Sequence, residues 1–282
     1  MNRIAAIQMT SSPEVESNLA EAARLMGQAV DAGATMVVLP ENFAIMPRQE
    51  GDRLAVVEKE GAGPIQDFLC EQARAHRIWL VGGTIPLQAR QRNKVRAACL
   101  LFDDRGTRVA RYDKIHLFDV NLQNGEEYRE SAAIEAGNEI VVADTPLGRL
   151  GLAVCYDLRF PELFRRMLDE GVEIVTLPSA FTVLTGRAHW EALLRARAIE
   201  NLVFVIASAQ VGRHGSGRET YGDSMIVGPW GEVLARLTSG PGFVVADVDR
   251  EHMRRVRNAL PSIEHRKPTH VRKPAKGTRL SA

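Results

Sequence analysis

A thiol, two carboxylates and an ammonium stand where each could be held against one substrate. Cys155 closes the apolar run Leu150-Gly151-Leu152-Ala153-Val154. It precedes Tyr156-Asp157-Leu158-Arg159-Phe160-Pro161-Glu162-Leu163, which turns into a helix. A short apolar run bounded by turn chemistry reads as an interior strand. A thiol at a strand-to-helix elbow is held out of the core, as is the serine of nucleophile-elbow hydrolases. The position also suits a small buried apolar residue, the usual state of a free cysteine. A thiol with a free pKa of about 8.5 needs a nearby base or cation to attack near neutrality.

Glu41 follows Met36-Val37-Val38-Leu39-Pro40. That puts a carboxylate at the carboxyl edge of a sheet, where ligands of α/β folds bind; a loop carboxylate at a helix start is the alternative. Lys114 sits in Arg111-Tyr112-Asp113-Lys114-Ile115-His116-Leu117-Phe118, among apolar and aromatic neighbours that would desolvate its ammonium. Alone it equally reads as a lysine laid along the surface. Glu130, in Tyr128-Arg129-Glu130-Ser131, alone reads as a solvated loop carboxylate. Together the four make a mechanism. One carboxylate takes the thiol proton and the sulfur attacks a carbonyl carbon. The ammonium and a backbone N–H stabilise the oxyanion. The second carboxylate orients the ammonium or the leaving amine. A Cys-His hydrolase is a competing enzyme reading, and a non-catalytic binding protein that kept the scaffold is one from another class.

The elements that must position these groups alternate between strand and helix. Ile4–Met9, Met36–Glu41 and Ile78–Thr84 read as strands. Helices are expected from a capping box at Asn18 to Gly33, and over Pro64–His76. Val95–Asp103 and Thr107–Tyr112 flank a hairpin signal at Asp104-Arg105-Gly106. Ile140–Ala143 and Leu150–Val154 flank a turn. Helices at Pro161–Glu170 and Ala188–Glu200 lead into the strands Glu173–Pro178 and Val203–Ala207, and a last β pair spans Ser224–Val227 and Val233–Leu237. Continuous apolar strands between helices imply an α/β fold of two stacked sheets with helices outside.

The 282 residues carry a net charge of +1, which argues for neither nucleic acid nor membrane as a partner. Three cysteines without paired spacing argue against a disulfide framework, and no zinc-ligand spacing appears. Cys70 and Cys99 read as core residues. Met1-Asn2-Arg3-Ile4 runs straight into a strand, so a cytoplasmic chain is expected. Residues 1–260 are read as one domain and 261–282 as a basic C-terminal arm, with six Lys or Arg and no acid from His265 onward. A nucleic-acid role through that arm is a weaker option without an aromatic platform.

Three segments now combine. Val38-Leu39-Pro40-Glu41-Asn42, Tyr112-Asp113-Lys114-Ile115-His116-Leu117 and Gly151-Leu152-Ala153-Val154-Cys155-Tyr156-Asp157-Leu158-Arg159-Phe160 resemble, in order, the signature segments of the nitrilase superfamily of carbon–nitrogen hydrolases. The similarity runs from about Ile4 to Asp249. The resemblance implies an α-β-β-α sandwich and a Glu-Lys-Cys triad on Glu41, Lys114 and Cys155. It puts the family's second glutamate on Glu130, and it implies dimers or higher homo-oligomers and no metal or organic cofactor. Cys155-Tyr156-Asp157 is similar to the amidase branches, where true nitrilases carry Cys-Trp-Glu. Thr185-Gly186-Arg187-Ala188-His189-Trp190-Glu191 resembles a segment shared by ω-amidases and deaminated glutathione amidases. Ala209-Gln210-Val211-Gly212-Arg213-His214, Arg218 and Tyr221-Gly222-Asp223-Ser224-Met225 resemble the deaminated glutathione amidase branch. Arg187 and Asp223 depart from that pattern, where proline and histidine are usual.

The implied activity is amide hydrolysis in a small carboxylate-bearing substrate through a thioester. Deaminated glutathione is the expected substrate, with α-ketoglutaramate or an N-carbamoyl amino acid as alternatives. The Tyr156 N–H is expected to share the oxyanion with Lys114. Tyr156, Arg159, Phe181, Arg213 and His214 are the expected substrate-binding residues, with Arg187 and Arg218 as further cations for an anionic substrate. Each has a plainer alternative: Arg159 could brace the elbow against Asp157 or Glu162, and Arg213 and Arg218 could be ordinary loop residues.

Overall fold

The computed structural model describes residues 2–49 and 51–267. Most of the expected basic arm therefore lies outside the described residues.

In chain order the first half comprises β1 (Arg3–Gln8), α1 (Val15–Asp31), β2 (Met36–Val38), α2 (Asp52–Ala55), α3 (Pro64–His76), β3 (Trp79–Val81), β4 (Ile85–Gln88), β5 (Val95–Phe102), β6 (Arg108–Asp113), β7 (Asp119–Asn121) and β8 (Glu127–Arg129). The second half comprises β9 (Val142–Thr145), β10 (Gly148–Leu152), α4 (Pro161–Asp169), β11 (Ile174–Ser179), α5 (Val183–Asn201), β12 (Phe204–Ala209), β13 (Val211–Arg213), β14 (Glu219–Tyr221), β15 (Ser224–Val227), β16 (Val233–Leu237), β17 (Gly242–Asp247) and α6 (Arg250–Ala259).

Side-chain alternation along a strand sorts the interior into two cores. In β1, Ile4 and Ala6 face one core while Ala5 and Ile7 face the other. Met36 and Val38 of β2 follow the first pair, and Val37 follows the second. The Ala5 and Ile7 side packs on Ala22, Leu25 and Met26 of α1 and Leu69 of α3. The Ile4 and Ala6 side packs on the second sheet, where Val205 and Ala207 of β12 belong to the same core. Phe164 and Met167 of α4 and Leu194 and Ala198 of α5 join the core around that sheet. The layers are helix, sheet, sheet, helix, as the apolar runs imply.

The first sheet runs β17-β1-β2-β3-β5-β4 with β6 beside β5, and the second runs β16-β15-β12-β11-β10-β9. Each contains a parallel trio: β1, β2 and β3 in one, β10, β11 and β12 in the other. Glu41 follows β2 and Cys155 follows β10, so both leave carboxyl ends of parallel strands, and Lys114 leaves the end of β6.

Three expectations need correction. The pair β15–β16 is not the last, because β17 adds to the edge of the first sheet with Arg3 opposite Asp247, and α6 follows with Asp249 capping the His252 N–H. That strand is half-buried with no clear alternation, which hides it. The first helix starts at Val15, not at Asn18. Asn18 is buried inside it, accepting from the Ser12 N–H and donating to the Ser12 and Ala44 carbonyls. The helix expected from Ala188 begins at Val183, with the Thr182 hydroxyl accepting from the Thr185 N–H. No helix among the described residues is long and apolar enough to cross a membrane.

The turn after β2 is held from below by Gly83, whose φ of +57° suits glycine. A Cβ there would stand 2.1 Å from the Pro40 carbonyl oxygen. Next to it, the Thr84 hydroxyl accepts from the Asn42 N–H at 2.8 Å, bracketing Glu41. Gly83→Ala is expected to lower unfolding free energy by more than about 2 kcal/mol in a denaturant titration. An unchanged midpoint would show that this turn is not under steric constraint.

Candidate active site

Glu41 and Lys114 are both buried, at 3% and 2% exposure, so neither charge is stabilised by solvent. Each has to find its partner inside the protein. Lys114 Nζ lies 2.8 Å from Glu41 Oε1 and 2.8 Å from both oxygens of Glu130. Glu130 begins a 3₁₀ turn directly after β8 and also accepts from the Phe118 N–H at 2.6 Å. Burial works against the Lys114 charge, yet the pull of Glu130 and Glu41 holds its ammonium above the ordinary lysine range.

Cys155 opens a 3₁₀ turn, Cys155–Arg159, with a φ of +49°. That is a strained conformation for a residue with a Cβ, and such strain persists only where the surroundings over-determine it. Asp157 supplies those surroundings. It is fully buried and accepts from the Val154 N–H at 2.8 Å, the Tyr112 hydroxyl at 2.6 Å and the His116 N–H at 3.1 Å. The His116 Nδ1 stands 2.7 Å from the same carboxylate, and its ring stacks on Phe160 with centroids 3.7 Å apart. One side chain thus ties the segment bearing Lys114 to the elbow bearing Cys155.

Burial pushes the Cys155 thiol well above its usual range, and the Glu41 charge adds to the shift. Lys114 and the Ala180 N–H pull the other way. The thiol therefore stays protonated next to Glu41, a carboxylate placed to take its proton.

These groups sit at the base of a cavity of about 210 Å³. Of the residues expected to bind substrate, Tyr156, Arg159 and Phe181 line it. Arg159 does not brace Asp157 or Glu162. Its guanidinium lies over the Phe181 and Tyr156 rings, 5.3 and 5.8 Å from their centroids, and meets His189 Nδ1 at 3.2 Å.

Arg213 and His214 are not among the lining residues. Arg213 is exposed on the β13–β14 hairpin, opposite Glu219. His214 is buried, with Nδ1 2.9 Å from the Ser11 carbonyl and Nε2 2.7 Å from the Thr220 hydroxyl. Burial lowers its pKa, and the ring fastens the hairpin to the loop after β1. Arg187 is exposed on α5. Asp223 is buried under Arg236, with both its oxygens bonded, and its carbonyl accepts from the Trp190 indole N–H. The cavity's other arginines are Arg53, Arg129 and Arg218, of which only Arg218 was singled out from the sequence. Arg129 sits in a charged stretch, and Arg53 stands beside the short run Leu54-Ala55-Val56-Val57 with no motif to single it out from a solvated residue.

The family model for carbon–nitrogen hydrolases matches residues 3–258. The chain belongs to the carbon–nitrogen hydrolase family. It is 39% identical over 264 residues to the deaminated glutathione amidase of Yersinia enterocolitica, covering 93% of this chain and 92% of that protein. It is 40% identical to the human deaminated glutathione amidase, covering 94% and 82%. Among solved structures, Saccharomyces cerevisiae Nit3, a member of branch 10 of the nitrilase superfamily, superposes with a TM-score of 0.83 at 31% identity, covering 92% of this chain and 94% of that one. The Caenorhabditis elegans NitFhit protein superposes with a TM-score of 0.85 at 36% identity, covering 94% of this chain; this chain spans 65% of that one's length. The sandwich expected from the sequence is therefore the fold of this carbon–nitrogen hydrolase.

Because Asp157 takes four donors with one buried carboxylate, its amide replacement leaves donors unmatched. Asp157→Asn is expected to cost about 2–4 kcal/mol of stability. Alkylation of Cys155 by iodoacetamide, followed by mass spectrometry of the folded protein, should slow as well. Wild-type alkylation in the variant would show that the elbow holds its shape without this carboxylate.

Proposed function

We propose that Cys155, Glu41 and Lys114 are the catalytic groups of an amidase that hydrolyses deaminated glutathione, with Glu130 holding the lysine. One observation carries the reading: a buried ammonium shared by two carboxylates, on the same cavity as a buried thiol. In the first half-reaction the thiol proton moves to Glu41 and the sulfur bonds the amide carbon. The oxyanion is held by Lys114 Nζ and the Tyr156 N–H. As the C–N bond breaks, Glu41 returns the proton to the leaving nitrogen and a thioester remains. Glu41 then takes a proton from water, the hydroxide adds to the thioester, and the C–S bond breaks to release the acid and restore the thiol.

The substrate rests on two supports. Relatives of about 40% identity over most of the chain carry the deaminated glutathione amidase name. The cavity is also lined by Arg53, Arg129, Arg159 and Arg218, which suits an anionic amide. Self-association belongs to the same proposal: Leu184 and Ile199 of α5 and Trp230 expose apolar surface that a second copy of the chain would cover.

Cys155→Ala is expected to lower turnover by at least about 10³-fold, and wild-type turnover in that variant would overturn the proposal. Glu41→Gln separates the base from the charge. Turnover should fall about 10²–10⁴-fold for want of a general base. The thiol should meanwhile ionise at lower pH, because the negative charge that raises it is gone while Lys114 remains. The pH profile of Cys155 alkylation should therefore shift downward; an upward shift would contradict the assigned electrostatics. A substrate panel decides the branch: deaminated glutathione should have the highest kcat/KM. Equal or better turnover of α-ketoglutaramate or an N-carbamoyl amino acid would overturn that assignment.

A further inference from the structure

We infer that Arg218 is the specificity residue that grips the carboxylate on the acyl portion of the substrate; this rests on the amidase reading above. Arg218 lies between β13 and β14 and reaches back to line the catalytic cavity. Its Nη2 donates to the Ala180 carbonyl, and its guanidinium carbon lies 5.1 Å from the centroid of the Tyr128 ring. Its Nε is buried without a hydrogen-bond partner.

A buried guanidinium N–H left unmatched costs free energy that a bound acceptor recovers. No carboxylate among the described residues pairs with Arg218 in an ion pair. Arg129, on the same cavity wall, is paired with Glu127 at 2.8 Å. Lys114 is already shared between two carboxylates, and its part in the reaction is at the oxyanion, not at a substrate carboxylate.

Position then selects the acyl end. Ala180 accepts from Arg218 through its carbonyl and lines the same cavity as Cys155. Cys155, Ala180 and Arg218 line one small cavity, so the guanidinium reaches the space beside the attacking atom. That reach suits a carboxylate a few bonds from the scissile carbonyl, as in a short 2-oxo-dicarboxylic monoamide. Tyr128 supports the arrangement: burial raises its phenol to about 12, so the ring stays neutral and presents its face to the cation.

Arg218 also links the β13–β14 hairpin to Ala180, so a purely structural role must be separated from recognition. The full-length chain is tested as Arg218→Met and Arg218→Lys on two amides. One is α-ketoglutaramate, whose carboxylate is on the acyl side; the other is neutral pentanamide. In Arg218→Met the ratio of their kcat/KM values should fall about 30-fold or more, through KM, the loss expected for a charge-assisted bidentate contact. Arg218→Lys should restore part of the ratio. A structural role would lower both substrates together, and a ratio within about threefold of wild type overturns the proposal.

A second measurement is independent of turnover. 2-Oxoglutarate is titrated calorimetrically into the Cys155→Ala chain with and without Arg218→Met. The Kd should rise by the same factor of about 30. An unchanged Kd, or no binding to the Cys155→Ala chain, overturns the proposal. Arg218-dependent binding in a protein that turns over no amide would sustain this inference and sink the amidase reading.

Discussion

A buried ammonium dictates the arrangement around it. At 2% exposure, Lys114 can keep its charge only if carboxylates replace the lost water. Glu41 comes from a turn 73 residues earlier and Glu130 from a hairpin 16 residues later, so three segments must converge on one nitrogen. Burial, with the Glu41 charge added to it, holds the neighbouring thiol well above its ordinary range. Such a cluster is a weak source of stability, since apolar packing of similar volume often does as well. Its retention in the floor of a cavity points to chemistry.

The sandwich makes the convergence possible. Its two sheets meet through small and medium apolar side chains, such as Ala6 of β1 and Ala207 of β12. The first sheet brings Glu41 and Lys114 to one edge, and the second brings Cys155. Sheet packing alone sets such an approach only loosely. Asp157 tightens it by bonding Tyr112 and His116 from the lysine side and Val154 from the cysteine side. The left-handed turn at Cys155 and the register of Lys114 are therefore one constraint, enforced by one buried carboxylate.

Legibility in the sequence followed burial. β2, β10, β11 and β12 are buried on both faces and read as continuous apolar runs, which fixed the layers and placed Glu41 and Cys155 at strand ends. Helix α3 matched its expected bounds because its apolar face and its proline start agree. β17 and α6 were missed because a half-buried edge strand and a short, highly charged helix carry little apolar pattern. Lys114 and Glu130 read alone as surface residues; only their order beside two other segments lifted them. Arg213 and His214 stand apart from the cavity lining for a different reason. Their turn has the right composition for a binding loop, but nothing local reports that the hairpin sends Arg213 to solvent, His214 onto Ser11 and Arg218 into the cavity.

The two kinds of site residue sit on different parts of the fold. Cys155, Glu41 and Lys114 leave sheet strands: β10 and β2 are paired on both sides, and β6 is paired with β5. The cavity arginines sit elsewhere: Arg53 on the short helix α2, Arg129 at the end of a two-stranded hairpin, Arg218 on another, and Arg159 at the end of the elbow turn. Such segments can change length or charge without moving the strand ends beneath them. Substrate choice can therefore shift while the acid–base geometry stays fixed. Arg187 and Asp223, which depart from the branch pattern, lie outside the cavity lining. One is exposed on α5, and the other supports Trp190 behind Phe181. Asp223 is linked to the cavity through Trp190 and Phe181, whose ring underlies Arg159.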